Sequence, residues 1–271
     1  MKQRPSFPAR LDATLAKHRP SPQGSAAFGS GLPSAKASGP AVARSVLPPP
    51  PQGHGMDSSA VRNRMVQKLA AGGVVDADVL AAMGAIERHR FVDSALINQA
   101  YEDTSLPIGL GQTISKPGVV ARMLELLRNG RTSKLGRVLE VGTGCGYQAA
   151  VLSLLASEVY SIERLRGLHE RARTNLRHLR LANLHLLLGD GMLGFAEGAP
   201  YAGIIAAAGG EAVPQAWIDQ LAVGGRLVAP VVTPGVPGGS QALLVLDKTA
   251  QGVRHTMLEA VHFVPLKSGI A

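Results

Sequence analysis

Cysteine is nearly absent from these 271 residues: Cys145 stands alone, so no disulfide can close within the chain. Aromatic side chains are scarce too, at 4% with a single tryptophan, and a core must be filled mainly by Leu, Val and Ala. No apolar run approaches the ~20 residues that a membrane-spanning helix needs, so no membrane span or membrane partner is expected. The eight histidines form neither an H-E-x-x-H pair nor a His–Cys set at zinc spacing, and no metal site is expected. A G-x-S-x-G elbow and a G-x-x-x-x-G-K-[ST] phosphate loop are both missing, which removes the usual serine-hydrolase and nucleotide-triphosphate readings.

Acids are outnumbered. The net charge of +9 suggests nucleic acid until the charge is located. Residues 1–55 carry Lys2, Arg4, Arg10, Lys17, Arg19, Lys36 and Arg44 against one acid, Asp12. The remainder is close to balanced, as in an ordinary soluble enzyme, and no nucleic-acid partner is expected. The same 55 residues hold ten of the eighteen prolines, with Ser, Ala and Gly between them. Such a composition buries too little apolar surface to offset its ordering entropy, so residues 1–55 are expected to be a disordered, basic Pro/Ala/Ser-rich extension. It lacks the continuous apolar stretch of a secretory signal; an Arg-rich, acid-poor segment also fits an organelle transit peptide. Met56 stands at the change of texture and could be an alternative start.

From residue 57 the pattern becomes globular. Helical periodicity is read over 58–71, 76–85, 95–100 and 119–127, and residues 101–111, with Pro107, Gly109 and Gly111, read as an irregular loop. Then strands and helices alternate. Strands are expected at 138–139, 159–162, 184–188, 201–208 and 226–231, with helices at 148–155, 165–179 and 214–221. Two strands, 242–246 and 255–263, follow with no helix between them. The reading is an α/β chain: a doubly wound, Rossmann-like sheet, mostly parallel with an antiparallel C-terminal pair, preceded by a small helical N-terminal subdomain. Residues 56–130 would form the helical and substrate-loop part, and 131–271 the cofactor-binding sheet. The arginines of 165–179, Arg171, Arg173 and Arg177, with Arg180, read as a solvated helix face.

The chemistry centres on residues 138–147, Val-Leu-Glu-Val-Gly-Thr-Gly-Cys-Gly-Tyr. Gly142, Gly144 and Gly146, with Thr143 between them, would let a flat ligand approach the backbone. The helix behind would offer free N–H groups. The spacing is G-x-G-x-G, unlike the dinucleotide fingerprint G-x-G-x-x-G. Glu140 before it would repel a pyrophosphate and would suit a cation such as the sulfonium of S-adenosylmethionine. Cys145 reads as a space-filler, with a reactive thiol as the minority reading. Glu163 closes the second strand, where an acid can accept ribose hydroxyls; this is shared by NAD and S-adenosylmethionine, so an NAD(P)-dependent oxidoreductase stays as an alternative. Asp190, followed by Gly191, closes the third strand within reach of an adenine edge. Both acids could instead cap the helices that follow. A second informative stretch is residues 112–117, Gln-Thr-Ile-Ser-Lys-Pro. Pro117 fits a first helical turn, and Ser115 is either an N-cap worth ~1 kcal/mol or a site residue.

Two stretches carry a family resemblance. Residues 100–109, Ala-Tyr-Glu-Asp-Thr-Ser-Leu-Pro-Ile-Gly, followed by 111–117, Gly-Gln-Thr-Ile-Ser-Lys-Pro, closely resemble the signature of the protein-L-isoaspartate O-methyltransferases. Residues 140–150 look like that family's cofactor motif, and 88–92 and 263–266 are also similar. The likeness spans about 57–268. It implies an enzyme that binds S-adenosyl-L-methionine and methylates the free α-carboxylate of L-isoaspartyl residues in damaged proteins, starting their repair through a succinimide. The family's active-site serine maps onto Ser115. The substrate cleft is expected between the 101–115 loop, with Thr113 and Ile114, and the 263–266 end, with Val264. A cytoplasmic monomer acting on isoaspartyl proteins and peptides is expected. One departure stands at Ala202, where the family usually has an acid; it keeps open a catalytically impaired relative that serves as a binding module.

Overall fold

The computed structural model describes residues 59–233 and 240–271, so the expected extension over 1–55 and the role of Met56 lie outside the described residues. The chain begins with α1 (Ser59–Ala71), which buries Met65 and Leu69. Next comes α2 (Ala77–Ala85), whose N-cap Asp76 accepts from the N–H groups of Asp78 and Val79. Residues 88–91 and 94–99 form short 3-10 segments. The stretch read as an irregular loop contains a hairpin: β1 (Leu106–Gly109) pairs antiparallel with β2 (Gln112–Ile114). Its turn residues Leu110 and Gly111 both have positive φ, 52° and 70°. Two strands of this length, one holding a proline, leave too little alternation to be legible. The ribbon then runs into α3 (Pro117–Arg128), with Pro117 at its start.

The main sheet is doubly wound as expected. β3 (Leu135–Val141), α4 (Tyr147–Leu155), β4 (Ala156–Glu163), α5 (Arg166–Leu176), β5 (Leu184–Leu188), β6 (Tyr201–Ala206), α6 (Gln215–Gln220), β7 (Leu221–Val232), β8 (Gln241–Thr249) and β9 (Gly252–Val261) follow in order. The strands lie in the order β5-β4-β3-β6-β7-β8-β9. The first five are parallel, and β8 and β9 close the sheet antiparallel. Strand alternation builds the two cores. Val138, Ile205 and Val228 face the helical layer that includes α1 to α4. Leu139, Ile204 and Leu227 face Trp217 and Tyr201 on the other side.

The helical layer is fastened by long-range polar contacts. Arg128, buried at the end of α3, donates to Asp76 at 2.8 Å and Asp78 at 2.5 Å. Breaking the buried Arg128–Asp76 pair costs about 3–5 kcal/mol because it strands a charge. Glu125 accepts from the backbone N–H groups of Val75 and Asp76 at 2.6 and 2.9 Å. These bonds fix α3, and hence the residue that precedes it by two, Ser115, against the rest of the layer.

Candidate active site

The parallel order reverses between β4-β3 and β6, and a crevice at the carboxyl ends of strands opens at such a switch point. Here it is a cleft of about 470 Å³. Gly142, Thr143 and Gly144 line it, with Glu163, Gly191, Thr113, Ile114, Ser115 and Val264. Nine of the expected site residues therefore meet around one space, although they come from five separate segments.

The glycine turn is shaped by its backbone. Gly142, Gly144 and Gly146 have φ of 92°, 57° and 92°, conformations that disfavour a Cβ. The N–H groups of Gly142 and Thr143 both donate to the Ile162 carbonyl, at 2.9 and 3.2 Å, folding the turn over β4. Gly146 serves packing as well: a Cβ there would lie 2.7 Å from Leu176 Cδ1 and 3.4 Å from Ala172 Cβ. It lets α5 press on the turn, where Asn175 Nδ2 also donates to the Cys145 carbonyl at 3.0 Å. Cys145 is buried, and burial pushes its thiol up from the usual range, which fits the space-filling reading.

Glu163 is the acid that faces the cleft. Its two oxygens accept from the Gly144 N–H at 2.8 Å and the Leu165 N–H at 2.9 Å. A carboxylate has about four acceptor positions, so two remain for a ligand's hydroxyls. Glu140 behaves differently. It is wholly buried and does not line the cleft. It accepts from the Ser161 hydroxyl, which in turn meets Thr143 Oγ1 at 2.6 Å. Burial pushes its carboxyl up to about 8, against the pull of Ser161 and Gln148. Its place is under the glycine turn, bracing Thr143 through Ser161; the expected contact with a cation in the cleft is not what this position offers.

Asp190 likewise stays off the cleft wall. One oxygen accepts from Met192 N–H at 2.9 Å, capping the 3-10 turn 191–193, and the other accepts from Gly269 N–H at 2.6 Å. The capping alternative is the one its geometry fits. Its neighbour Gly191 does line the cleft, and only glycine fits there, because a Cβ would sit 2.5 Å from Val141 Cγ1.

Ser115 does not cap α3. Lys116 occupies the N-cap position without a side-chain bond, and the open N–H of Gly118 goes instead to Asp103 Oδ1 at 2.6 Å. The Ser115 hydroxyl is thus free of capping duty and half-buried at the cleft. Opposite it, the 263–267 segment is pinned to the end of β6: Gly209 N–H donates to the Val264 carbonyl and Leu266 N–H to the Gly209 carbonyl, each at 2.8 Å. Further along, Arg164 Nε donates to the Gly269 carbonyl at 2.9 Å, so the segment is fastened on both sides of residues 264–267, which line the cleft.

The departure at Ala202 falls outside this geometry. It lies at the start of β6, the end away from the cleft, where a Cβ on Gly136 would be 3.1 Å from its own.

Sequence reasoning missed two arginines. Arg88 is fully buried and donates to the Ala100 carbonyl at 2.8 Å, with its guanidinium 4.9 Å from the centre of the Tyr147 ring. Arg171, read as part of a solvated face, donates instead to the Ile108 carbonyl at 2.6 Å. The signal was present for Arg171: it lies three residues after Leu168 and four before Asn175, on the stripe that faces the turn, whereas Arg173 and Arg177 are exposed.

The family profile described as Protein-L-isoaspartate(D-aspartate) O-methyltransferase matches residues 60–271. A protein-L-isoaspartate O-methyltransferase of Methylibium petroleiphilum is 61% identical over 221 residues, covering 81% of each chain. Its counterpart in Leptothrix cholodnii is 60% identical over 220 residues, 80% of this chain and 77% of that one. A solved protein-L-isoaspartate O-methyltransferase superposes with a TM-score of 0.69 at 28% identity, covering 77% of this chain and 67% of the other. A Plasmodium falciparum structure containing S-adenosyl-L-homocysteine has the same fold, with a TM-score of 0.66 at 24% identity over 76% of this chain and 98% of the other.

Proposed function

The chain belongs to the protein-L-isoaspartate(D-aspartate) O-methyltransferase family, and from that premise we infer the reaction and the residues that serve it. The protein transfers a methyl group from S-adenosyl-L-methionine to the free α-carboxylate of L-isoaspartyl residues, and isoaspartyl-containing proteins are its substrates. The rival oxidoreductase reading falls with family membership. The assignment of individual residues is our proposal, and the observation that carries it is the meeting of Ser115, Glu163 and the glycine turn around one cleft.

When bound, S-adenosyl-L-methionine supplies an electrophilic methyl on a sulfonium. Gly142, Thr143, Gly144 and Gly191 would hold it against the backbone, with Glu163 accepting the ribose hydroxyls. The acceptor needs no general base: an α-carboxyl has a pKa of roughly 3.5 and is ionised at neutral pH. The protein's task is therefore positioning, and effective-molarity gains of about 7–11 kcal/mol come from alignment alone. Ser115 would donate to the carboxylate and orient it; Thr113, Ile114 and Val264 would line the path of the kinked main chain. In this scheme Glu140 and Asp190 support the walls and Gly146 seats α5.

We also propose a cytoplasmic monomer without a nucleic-acid partner, in which residues 56–271 form the methyltransferase domain and 1–55 an extension. The family match from residue 60 supports that boundary, and the buried, unpaired Cys145 suits a reducing compartment. No helix among the described residues is long and apolar enough to cross a membrane.

Matched peptides that differ only in an isoaspartyl or a normal aspartyl linkage test the function. Ester formation is expected on the isoaspartyl peptide. Equal methylation of both would overturn the reading.

A further inference from the structure

The residues assigned to the substrate sit on the least self-sufficient element of the protein. The β1–β2 hairpin pairs only with itself and joins neither edge of the seven-stranded sheet. Two strands of four and three residues are marginal alone in water. Yet Thr113 and Ile114 lie within it and Ser115 follows directly, so the hairpin sets where the Ser115 hydroxyl stands.

Its base is tied down. Arg88 holds the Ala100 carbonyl at 2.8 Å, and Asp103 holds the Gly118 N–H at 2.6 Å. The tip is held from across the cleft. Ile108 enters the space left by Gly144, where a Cβ would lie 3.2 Å from Ile108 Cδ1. Leu110 reaches Gly167 on α5, where a Cβ would lie 3.1 Å from Leu110 Cδ1. Leu110 does this from a left-handed backbone, with φ of 52° and the residue 62% exposed, a conformation that L-residues with a Cβ disfavour. Between these two contacts, Arg171 Nη1 donates to the Ile108 carbonyl at 2.6 Å. It is the one hydrogen bond that joins α5 to the hairpin among the described residues.

The helix that carries Arg171 is itself registered on the cofactor side. Glu163 binds the Gly144 and Leu165 N–H groups just before α5 begins, and Asn175, one turn beyond Arg171, binds the Cys145 carbonyl. Arg171 thus stands on a helix fixed to the glycine turn and reaches over to the short ribbon that carries the substrate residues.

We propose that Arg171 is a positioning residue for methyl transfer, a latch that holds the β1–β2 hairpin, and with it Ser115, at a fixed distance from the glycine turn. The proposal rests on the reading of Ser115 as the residue that orients the acceptor carboxylate. A guanidinium suits the task because it stays charged and its planar fork donates in a fixed direction. Losing the bond frees the tip, and a shift of about 1 Å in the reacting groups is enough to cost roughly 100-fold in rate.

The test uses the full chain as wild type, Arg171→Ala and Arg171→Lys. Amide hydrogen exchange over residues 106–114 is followed with and without S-adenosyl-L-homocysteine, beside steady-state methylation of an isoaspartyl peptide. Arg171→Ala is expected to speed exchange in the hairpin by about tenfold or more while β3 and α4 keep their protection. Its kcat is expected to fall by about tenfold or more, with the KM for the methyl donor changed by only a few-fold. Arg171→Lys, which keeps one donor, should recover part of both. Unchanged hairpin exchange, unchanged kcat, or a loss of protection spread through the main sheet would each overturn the latch. Failure of the wild type to methylate the isoaspartyl peptide would instead sink the functional reading, and the exchange measurement would still decide the latch.

Discussion

The two walls of the cleft are built on opposite principles. The glycine turn, residues 142–146, is held from many sides: by the strand before it and the helix after it, by the Ile162 carbonyl and the Glu163 carboxylate of β4, and by Asn175 and Leu176 of α5. The β1–β2 hairpin is held by residues far along the chain, among them Arg171, which lies 63 positions from Ile108. The first wall is fixed by many contacts at once and resists change. The second is fixed by a few distant contacts and can be adjusted one residue at a time. A fold that must bind one invariant cofactor and many different damaged polypeptides is well served by that division: rigid where the ligand never varies, and tunable where it does.

The comparison can be broken first on the rigid side. Gly146→Ala places a Cβ 2.7 Å from Leu176 Cδ1 on a residue with φ of 92°. The left-handed backbone costs about 1–2 kcal/mol and the overpacking about 1–3 kcal/mol. Thermal unfolding should show a drop of several degrees, and a Tm equal to that of wild type would mean α5 is not seated on the turn as described.

On the adjustable side, Ser115→Ala should leave the fold intact, because the hydroxyl caps nothing and Asp103 serves the helix start. The kcat/KM for an isoaspartyl peptide should fall by roughly 100-fold, the scale set by misplacing a reacting group, while affinity for S-adenosyl-L-homocysteine stays near wild type. A fully active Ser115→Ala enzyme, or one that loses cofactor affinity in step with activity, contradicts the assignment.

Glu163→Ala sharpens the boundary between the walls. It removes a charged acceptor, so cofactor binding measured by calorimetry should weaken by about 1.5–3 kcal/mol. Unchanged affinity would show that the ribose is bound elsewhere.

These positions also mark how far the sequence could be read. The doubly wound alternation, the antiparallel close and the glycine turn were legible because each depends on residues that lie together: an apolar run, a glycine triplet, a helix. The place of Glu163 at the end of β4 was legible because strand ends recur at predictable places. The hairpin escaped because Leu110 carries the positive φ that usually announces a glycine or asparagine. Ser115 was left between two readings because its rival for capping α3, Asp103, lies fifteen residues before Gly118. Asp190 and Arg171 were open to misreading for the same reason, their partners Gly269 and Ile108 being 79 and 63 residues away. What a side chain does through a distant partner leaves no local pattern.

Glu140 is the case in which position along the strand was legible and protonation was not, and Glu140→Gln is the change expected to disturb methylation least. The carboxyl is wholly buried, does not line the cleft, and has its pKa pushed up to about 8 by desolvation, with Ser161 and Gln148 pulling the other way. An isosteric amide should keep the brace to Ser161, so cofactor affinity at neutral pH should stay within about a few-fold of wild type. The signature lies in stability. Between the ordinary carboxyl value of 4.5 and about 8, the folded protein holds a proton that the unfolded chain has released. Folding is then favoured by acid, and stability falls as pH rises, with a limiting slope of about 1.4 kcal/mol per pH unit from this one group. Below that window both states are protonated and there is no penalty; above it both are ionised and the full penalty remains. The amide has no proton to lose. Denaturant unfolding of both proteins at pH 5, 6.5 and 8 should therefore show Glu140→Gln gaining on wild type as pH rises. A difference that stays constant across that range would mean that the carboxyl is ionised throughout and that burial does not hold its proton.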